Sequence, residues 1–172
     1  MAVESHDKIN ADLCVEAIQE YDYDVNYQIT SNKLSLFLCA CMSGNSRVMM
    51  FMIERGANVK LCTAHGDSAL YLATYGYLHS PQPDLHAISM LIAYGCDVNK
   101  PNYSGFTVLH QAAGKGNLFL TQYFIFKGAD PNQQNHTGLV PYHIAVIEGH
   151  NEVANFLRER LKPLLKRAPS TV

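Results

Sequence analysis

The chain has 172 residues, 48% of them hydrophobic and 16% charged, with a formal net charge of −2. That length and composition give one domain with a sizeable core and exclude a disordered polypeptide. The whole-chain charge favours no class of partner, and no apolar run approaches the roughly 18 residues that a membrane span needs.

The first 26 residues are acidic: Glu4, Asp7, Asp12, Glu16, Glu20, Asp22 and Asp24 stand against Lys8 alone. They contain no basic stretch followed by an apolar one, so no signal peptide is expected. Asp24-Val25-Asn26 closes a short, partial unit. From there the chain repeats itself. A Gly-small-Asx-Val/Pro element occurs at Gly56, Gly95 and Gly128, separated by 39 and then 33 residues. A second element begins 12 residues after each: Ser68-Ala69-Leu70-Tyr71, Thr107-Val108-Leu109-His110 and Val140-Pro141-Tyr142-His143. Small residues and a glycine follow, as in Ala112-Ala113 with Gly116-Asn117, and Ala145-Val146 with Gly149-His150. Ser35-Leu36-Phe37-Leu38, Ala40-Cys41 and Gly44-Asn45 fill the same slots one unit earlier.

Each unit reads as two helices. Ser35, Ser68 and Thr107 are placed to N-cap the first helix. Gly-Asn or Gly-His ends it, with glycine as a left-handed cap. The apolar stretches VMMFMI, AISMLI, LTQYFIF and VANFL form second helices of about ten residues, which Gly56, Gly95 and Gly128 terminate. No unit buries its apolar face alone, whereas stacked units do. The longer spacing carries six extra residues within YGYLHSPQPDLHA. Pro81 and Pro83 exclude helix there, Asp84 caps the next helix, and residues 77–84 are expected to be an inserted loop. The chain closes on basic residues: Arg158, Arg160, Lys162, Lys166 and Arg167 against Glu159.

This pattern resembles the ankyrin repeat, with its period of 33, its T-P-L-H element, its Ala-Ala pair, its Gly-His/Asn and its G-A-D-V-N. The resemblance implies an all-α solenoid of helix-turn-helix units with hairpin tips. About four repeats are expected, with a partial N-terminal unit before them. The expected organisation is a segment 1–10, a repeat domain 11–161 divided at about 11–31, 32–61, 65–100, 104–133 and 137–161, and a basic tail 162–172.

Chemistry finds no place in this pattern. His110 and His143 occupy the T-P-L-H histidine slot, which in the family bonds the neighbouring turn, and His150 fills the Gly-His slot. Cys39 and Cys41, two apart on a helix, point in different directions. No C-x-x-C or H-x-x-x-H pair supports zinc, and Ala112 to Asn117 lacks the phosphate-loop pattern. Neither enzyme, cofactor nor metal is expected. Nucleic acid is not expected either, since the basic residues form no aromatic-interleaved stripe outside the tail. Five cysteines, mostly among apolar residues and irregularly spaced, favour a reducing compartment. The expected location is therefore intracellular, cytoplasmic or nuclear. Ser170-Thr171-Val172 resembles a PDZ-domain ligand, which chance alone readily produces.

In ankyrin proteins the turn tips and the inner face of the first helices bind other proteins. The resemblance places Leu34, Asp67, Phe106 and Leu139 in one slot of that face, Met42, Tyr75 and Ile147 in another, and Tyr103 in a turn. Most of these are apolar or aromatic, as partner sites are. Tyr77, Leu78 and His79 form a second candidate surface on the insertion. The implied function is a non-catalytic, monomeric protein-binding adaptor or regulatory subunit. Its expected partner is a protein kinase or its activator in cell-cycle control, by likeness to small stand-alone members of the family. The alternatives are an inhibitor of a Rel/NF-κB-type transcription factor, with which the acidic N-terminal end is compatible, and an unrecognised enzyme.

Overall fold

The computed structural model describes residues 16, 18–20, 22–28 and 31–161. The segment 1–10, the tail 162–172 and the Ser170-Thr171-Val172 reading lie outside the described residues. Residues 16 and 18–20 are helical; after them, among the described residues, come in chain order α1 (Leu36–Ser43), α2 (Ser46–Glu54), α3 (Ala69–His79), α4 (Leu85–Ala93), α5 (Val108–Gly114), α6 (Leu118–Phe126), α7 (Pro141–Ile147) and α8 (Asn151–Arg158). No strand forms among the described residues, only an isolated bridge between Cys62 and Ser68. The expected all-α stack of helix pairs is the fold.

Local chemistry sets the helix boundaries. Ser35, Ser68 and Thr107 stand in extended backbone, and their hydroxyl oxygens accept the N–H of Leu38, Tyr71 and His110. Each thereby satisfies an amide that the helix leaves open. The fourth first-helix has Pro141 at its start, where a missing N–H costs nothing. Gly44 closes α1 in the left-handed region at φ 70°. The asparagine after the glycine then starts the next helix: Asn45 and Asn117 accept the N–H of Val48 and Leu120 at 3.1 and 2.9 Å. Asp84 does the same for His86 at 2.9 Å.

The inserted residues are not all loop. Helix α3 runs 11 residues, against 7 in α5 and α7, so Tyr77, Leu78 and His79 form an added helical turn. The helix continues because Tyr77 and Leu78 pack, half-buried, against the core. It ends at His79, two residues before Pro81, with Ser80 extended at φ −79°, ψ 138°, as the residue before a proline prefers. Only residues 80–83 connect it to the Asp84 cap.

The first helices pack in series, α1 on α3 on α5 on α7, and the second helices line the other side. Small residues make the close approach possible: Ala40, Cys41, Ala73, Ala112, Ala113 and Ala145 are all buried. A Cβ at Gly76 would lie 2.5 Å from the Met42 carbonyl oxygen, so α3 crosses the end of α1 there without room for a side chain. Phe37, Met49, Leu70, Ile88, Leu109, Leu120, Phe124 and Leu157 fill the continuous core between the layers.

At the tips, each turn is tied to the one before it. Ala64 donates to the Asn32 carbonyl at 2.7 Å, Tyr103 to His65 at 2.9 Å and His136 to Ser104 at 3.1 Å. Side-chain amides add further ties at two junctions. Asn26 donates to the Gly56 carbonyl and accepts from Asn58 N–H. Asn99 likewise donates to the Gly128 carbonyl at 3.0 Å and accepts from Asp130 N–H at 2.8 Å. Lys60 holds the corresponding slot at the junction between them, and its side chain has no acceptor to play that part. Asn99→Ala removes both bonds at once, so urea unfolding is expected to show a loss of about 1–2 kcal/mol. An unchanged midpoint would mean that water replaces the amide fully.

Candidate protein-binding surface

Because the first helices stack, equivalent positions form rows along the solenoid. One row lies where the turn meets the helix start: Leu34, Asp67, Phe106 and Leu139, all partly exposed. The other lies toward the helix ends: Met42, Tyr75 and Ile147 are exposed at 40%, 45% and 56%. Gly114 occupies the remaining position of that second row, where an added Cβ would lie 3.1 Å from Ile144 Cγ2. On the added turn of α3, the His79 ring stacks on Tyr75 at 4.0 Å, and its Nδ1 donates to the Tyr75 carbonyl at 2.8 Å. His79 thus extends the second row, while Tyr77 and Leu78 are largely committed to the core. Tyr103 is 69% exposed, but the face of its ring closes over Gly66, where a Cβ would come within 2.6 Å of it.

The first row is chemically uneven, and the turns explain why. In the two later turns an asparagine organises the loop. Asn102 Oδ1 accepts from Ser104 and Phe106 N–H; Asn135 Oδ1 accepts from Thr137 and Leu139 N–H. The Nδ2 of Asn102 reaches the row position of the preceding repeat. For Asn102 that position is Asp67, whose Oδ1 accepts the bond at 2.9 Å. Asp67 Oδ2 accepts from Thr63 Oγ1 at 3.2 Å. Both carboxylate oxygens of Asp67 are therefore used within the protein. For Asn135 the corresponding position is Phe106. Asn135 is 4% exposed, and its buried Nδ2 has no hydrogen-bond partner. A buried amide donor left open costs about 1–3 kcal/mol.

Phe106 rests edge-on against His110, with centroids 5.6 Å apart. His110 is 1% exposed. Its Nε2–H donates to the Leu139 carbonyl at 3.1 Å, while Nδ1 accepts from Thr107 N–H at 3.2 Å. Burial pushes its pKa down to about 4, partly opposed by the Leu139 bond. His110 is thus a neutral strut joining two repeats, with the neighbouring-turn bond expected for its slot. His143 accepts Val140 N–H at 3.4 Å in the same local arrangement, and His150 Nε2 donates to the Gly114 carbonyl at 3.2 Å. Among the described residues no group of three His, Cys, Asp or Glu could hold a metal ion, and no helix is long and apolar enough to cross a membrane.

Sequence reasoning overlooked a second set of exposed aromatics, on the outer helices. Phe119 and Phe126 of α6 are 53% and 82% exposed. The signal was present: Leu118–Phe126 contains no charged residue, unlike α8, which has a polar outer face.

The model for ankyrin repeats (3 copies) matches residues 79–166, half of the chain. The chain belongs to the ankyrin-repeat family, a class of protein–protein interaction modules. It is 30% identical over 130 residues to the NF-kappa-B inhibitor cactus of Drosophila melanogaster, covering 73% of this chain and 23% of that protein. Protein phosphatase 1 regulatory subunit 27 of Mus musculus is 34% identical over 80 residues, covering 46% of this chain and 52% of that protein. Potassium channel AKT1 of Arabidopsis thaliana is 31% identical over 80 residues, 46% of this chain and 9% of the channel. The chain thus spans from about a tenth to half of the length of these relatives.

Proposed function

We propose that the chain is a non-catalytic regulatory adaptor that docks a partner protein on the two rows of the first helices, with Phe106 at the centre. The observation that carries this reading is Phe106 itself. An aspartate in its place would satisfy Asn135, as Asp67 satisfies Asn102 in the same chain. The chain instead keeps a partly exposed aromatic ring and leaves a buried amide open. Stability is given up in this way where a residue serves a surface. Tyr103, Tyr75, Met42 and Ile147 add to the two rows the aromatic and apolar groups that anchor interfaces.

Two partner classes follow. A kinase or its activator fits a compact repeat protein that binds and regulates. A Rel-type transcription factor fits the likeness to cactus, which covers 73% of this chain. Co-purification from native cells separates them: the tagged wild type is compared with a Tyr103→Ala/Phe106→Ala protein. Loss of a kinase complex in the variant supports the first class, and loss of a Rel-type factor supports the second. A partner that both proteins retain moves docking away from the first row.

A further inference from the structure

The junction that lacks an asparagine tie holds a different pair of groups. Lys100 Nζ lies 2.9 Å from Cys62 Sγ and donates to it. Cys62 belongs to the turn after α2, Lys100 to the turn after α4, so the contact joins consecutive repeats. Both residues are part-exposed, which leaves the sulfur open to small solutes. Cys62 is also held in place, since its carbonyl accepts from Gln28 Nε2 at 2.9 Å. The other described cysteines are placed differently. Burial raises the pKa of Cys39, and raises that of Cys41 well above the usual thiol value. Burial also pushes Cys96 up to about 11, partly opposed by Lys100. Its Sγ donates to the Val59 carbonyl at 3.6 Å.

We propose that Cys62 and Lys100 form an oxidant-driven clasp, in which a hydroperoxide joins sulfur to nitrogen and locks the two repeats together. In the first step the Cys62 thiolate attacks a peroxide oxygen. An S–O bond forms, the O–O bond breaks, and the departing hydroxide takes a proton from the Lys100 ammonium to leave as water. Sulfur is oxidised to a sulfenic acid, the peroxide is reduced, and Lys100 is left as a neutral amine beside it. In the second step the amine nitrogen attacks sulfur. The S–N bond forms, the S–O bond breaks, and hydroxide leaves with an amine proton as a second water. Thiol, amine and hydrogen peroxide thus become one sulfenamide and two waters. Sulfenic acids condense with nearby nitrogen nucleophiles in this way, and the Lys100 nitrogen is already in contact.

Trypsin makes the test direct. Pro101 blocks cleavage after Lys100, so Cys62, Cys96 and Lys100 share one fragment, 61–115. In a Cys96→Ser protein that fragment keeps Cys62 as its one cysteine. After native treatment with hydrogen peroxide, the fragment is expected two hydrogens lighter, apart from any oxygen taken up by Met90. Dithiothreitol should restore its mass, and both Lys100→Met and Lys100→Arg proteins, shown folded by circular dichroism, should not give the loss. The oxidised Cys96→Ser protein should also melt higher than its reduced form. Oxygen addition at Cys62 without the loss would overturn the clasp. So would a Cys62 disulfide to another fragment, or the same two-hydrogen loss in the Lys100 variants, which would place the bond on a backbone nitrogen.

Discussion

Gly105→Ala is expected to be among the most damaging single-methyl changes in the protein, lowering stability by about 3 kcal/mol or more. Two costs add. Gly105 has φ +83°, a conformation that strains any residue with a Cβ by about 1–2 kcal/mol. The added Cβ would also lie 2.7 Å from Asn135 Cα and His136 N, both backbone atoms of the next turn. Those atoms cannot swing aside as a side-chain end could, because His136 N–H is itself bonded to Ser104 at 3.1 Å. The stack must open at that junction to admit the methyl group. Gly138→Ala supplies the control. Gly138 has a similar φ of +77° with nothing within 4 Å of the new Cβ, so only the conformational cost remains. Thermal melting should separate the two. At a few degrees per kcal/mol for a chain of this size, Gly105→Ala should fall by on the order of 10 °C and Gly138→Ala by a few degrees. Equal losses would show that the turns are not packed against one another as described.

Acid should loosen the stack through His110. Its folded-state pKa is lowered to about 4 by burial, from an ordinary 6.5. Below pH 6.5 the unfolded chain takes up a proton on this ring that the folded protein refuses. Stability from the neutral ring is therefore fully present above pH 6.5. It is lost as pH falls from there toward 4, by about 3 kcal/mol in all. The Nε2–H to Leu139 bond survives protonation, whereas Nδ1 can no longer accept Thr107 N–H. His110→Gln, with a shorter side chain and no titration in this range, should be less stable near pH 7 and show a flatter stability curve between pH 6.5 and 4. Urea midpoints across that range check it. Parallel curves for the two proteins would assign the acid sensitivity to other groups.

What the sequence made legible is what each residue decides locally. The hydroxyl caps at Ser35, Ser68 and Thr107 and the left-handed Gly44 act within a few residues of themselves, so the repeat spacing was enough to find them. The asparagines after the glycines look like helix ends, but a side chain at that position reaches forward, and Asn45 and Asn117 cap the second helices. Two prolines make the insertion look like loop from Tyr77 onward. Pro81 acts only on its own position and the one before it, so the apolar Tyr77 and Leu78 were free to extend α3. Asp67 and Phe106 show the remaining limit. Both occupy the same slot and looked equivalent. Their difference depends on an amide that pairs with the preceding repeat, 35 residues away for Asn102 and Asp67. No local pattern carries that information.

Phe106→Asp tests the central claim most directly, because stability and binding should move apart. The aspartate gives Asn135 Nδ2 its missing acceptor and loses the edge contact to His110, so stability should stay within about 1 kcal/mol of the wild type. Binding of the protein recovered from native cells should weaken by about 30-fold or more, as removal of a central aromatic anchor does. A variant that melts like the wild type and has lost its partner is the predicted result. A folded variant that holds its partner with undiminished affinity would contradict the docking surface. One that unfolds would contradict the pairing of Asn135 with the Phe106 position.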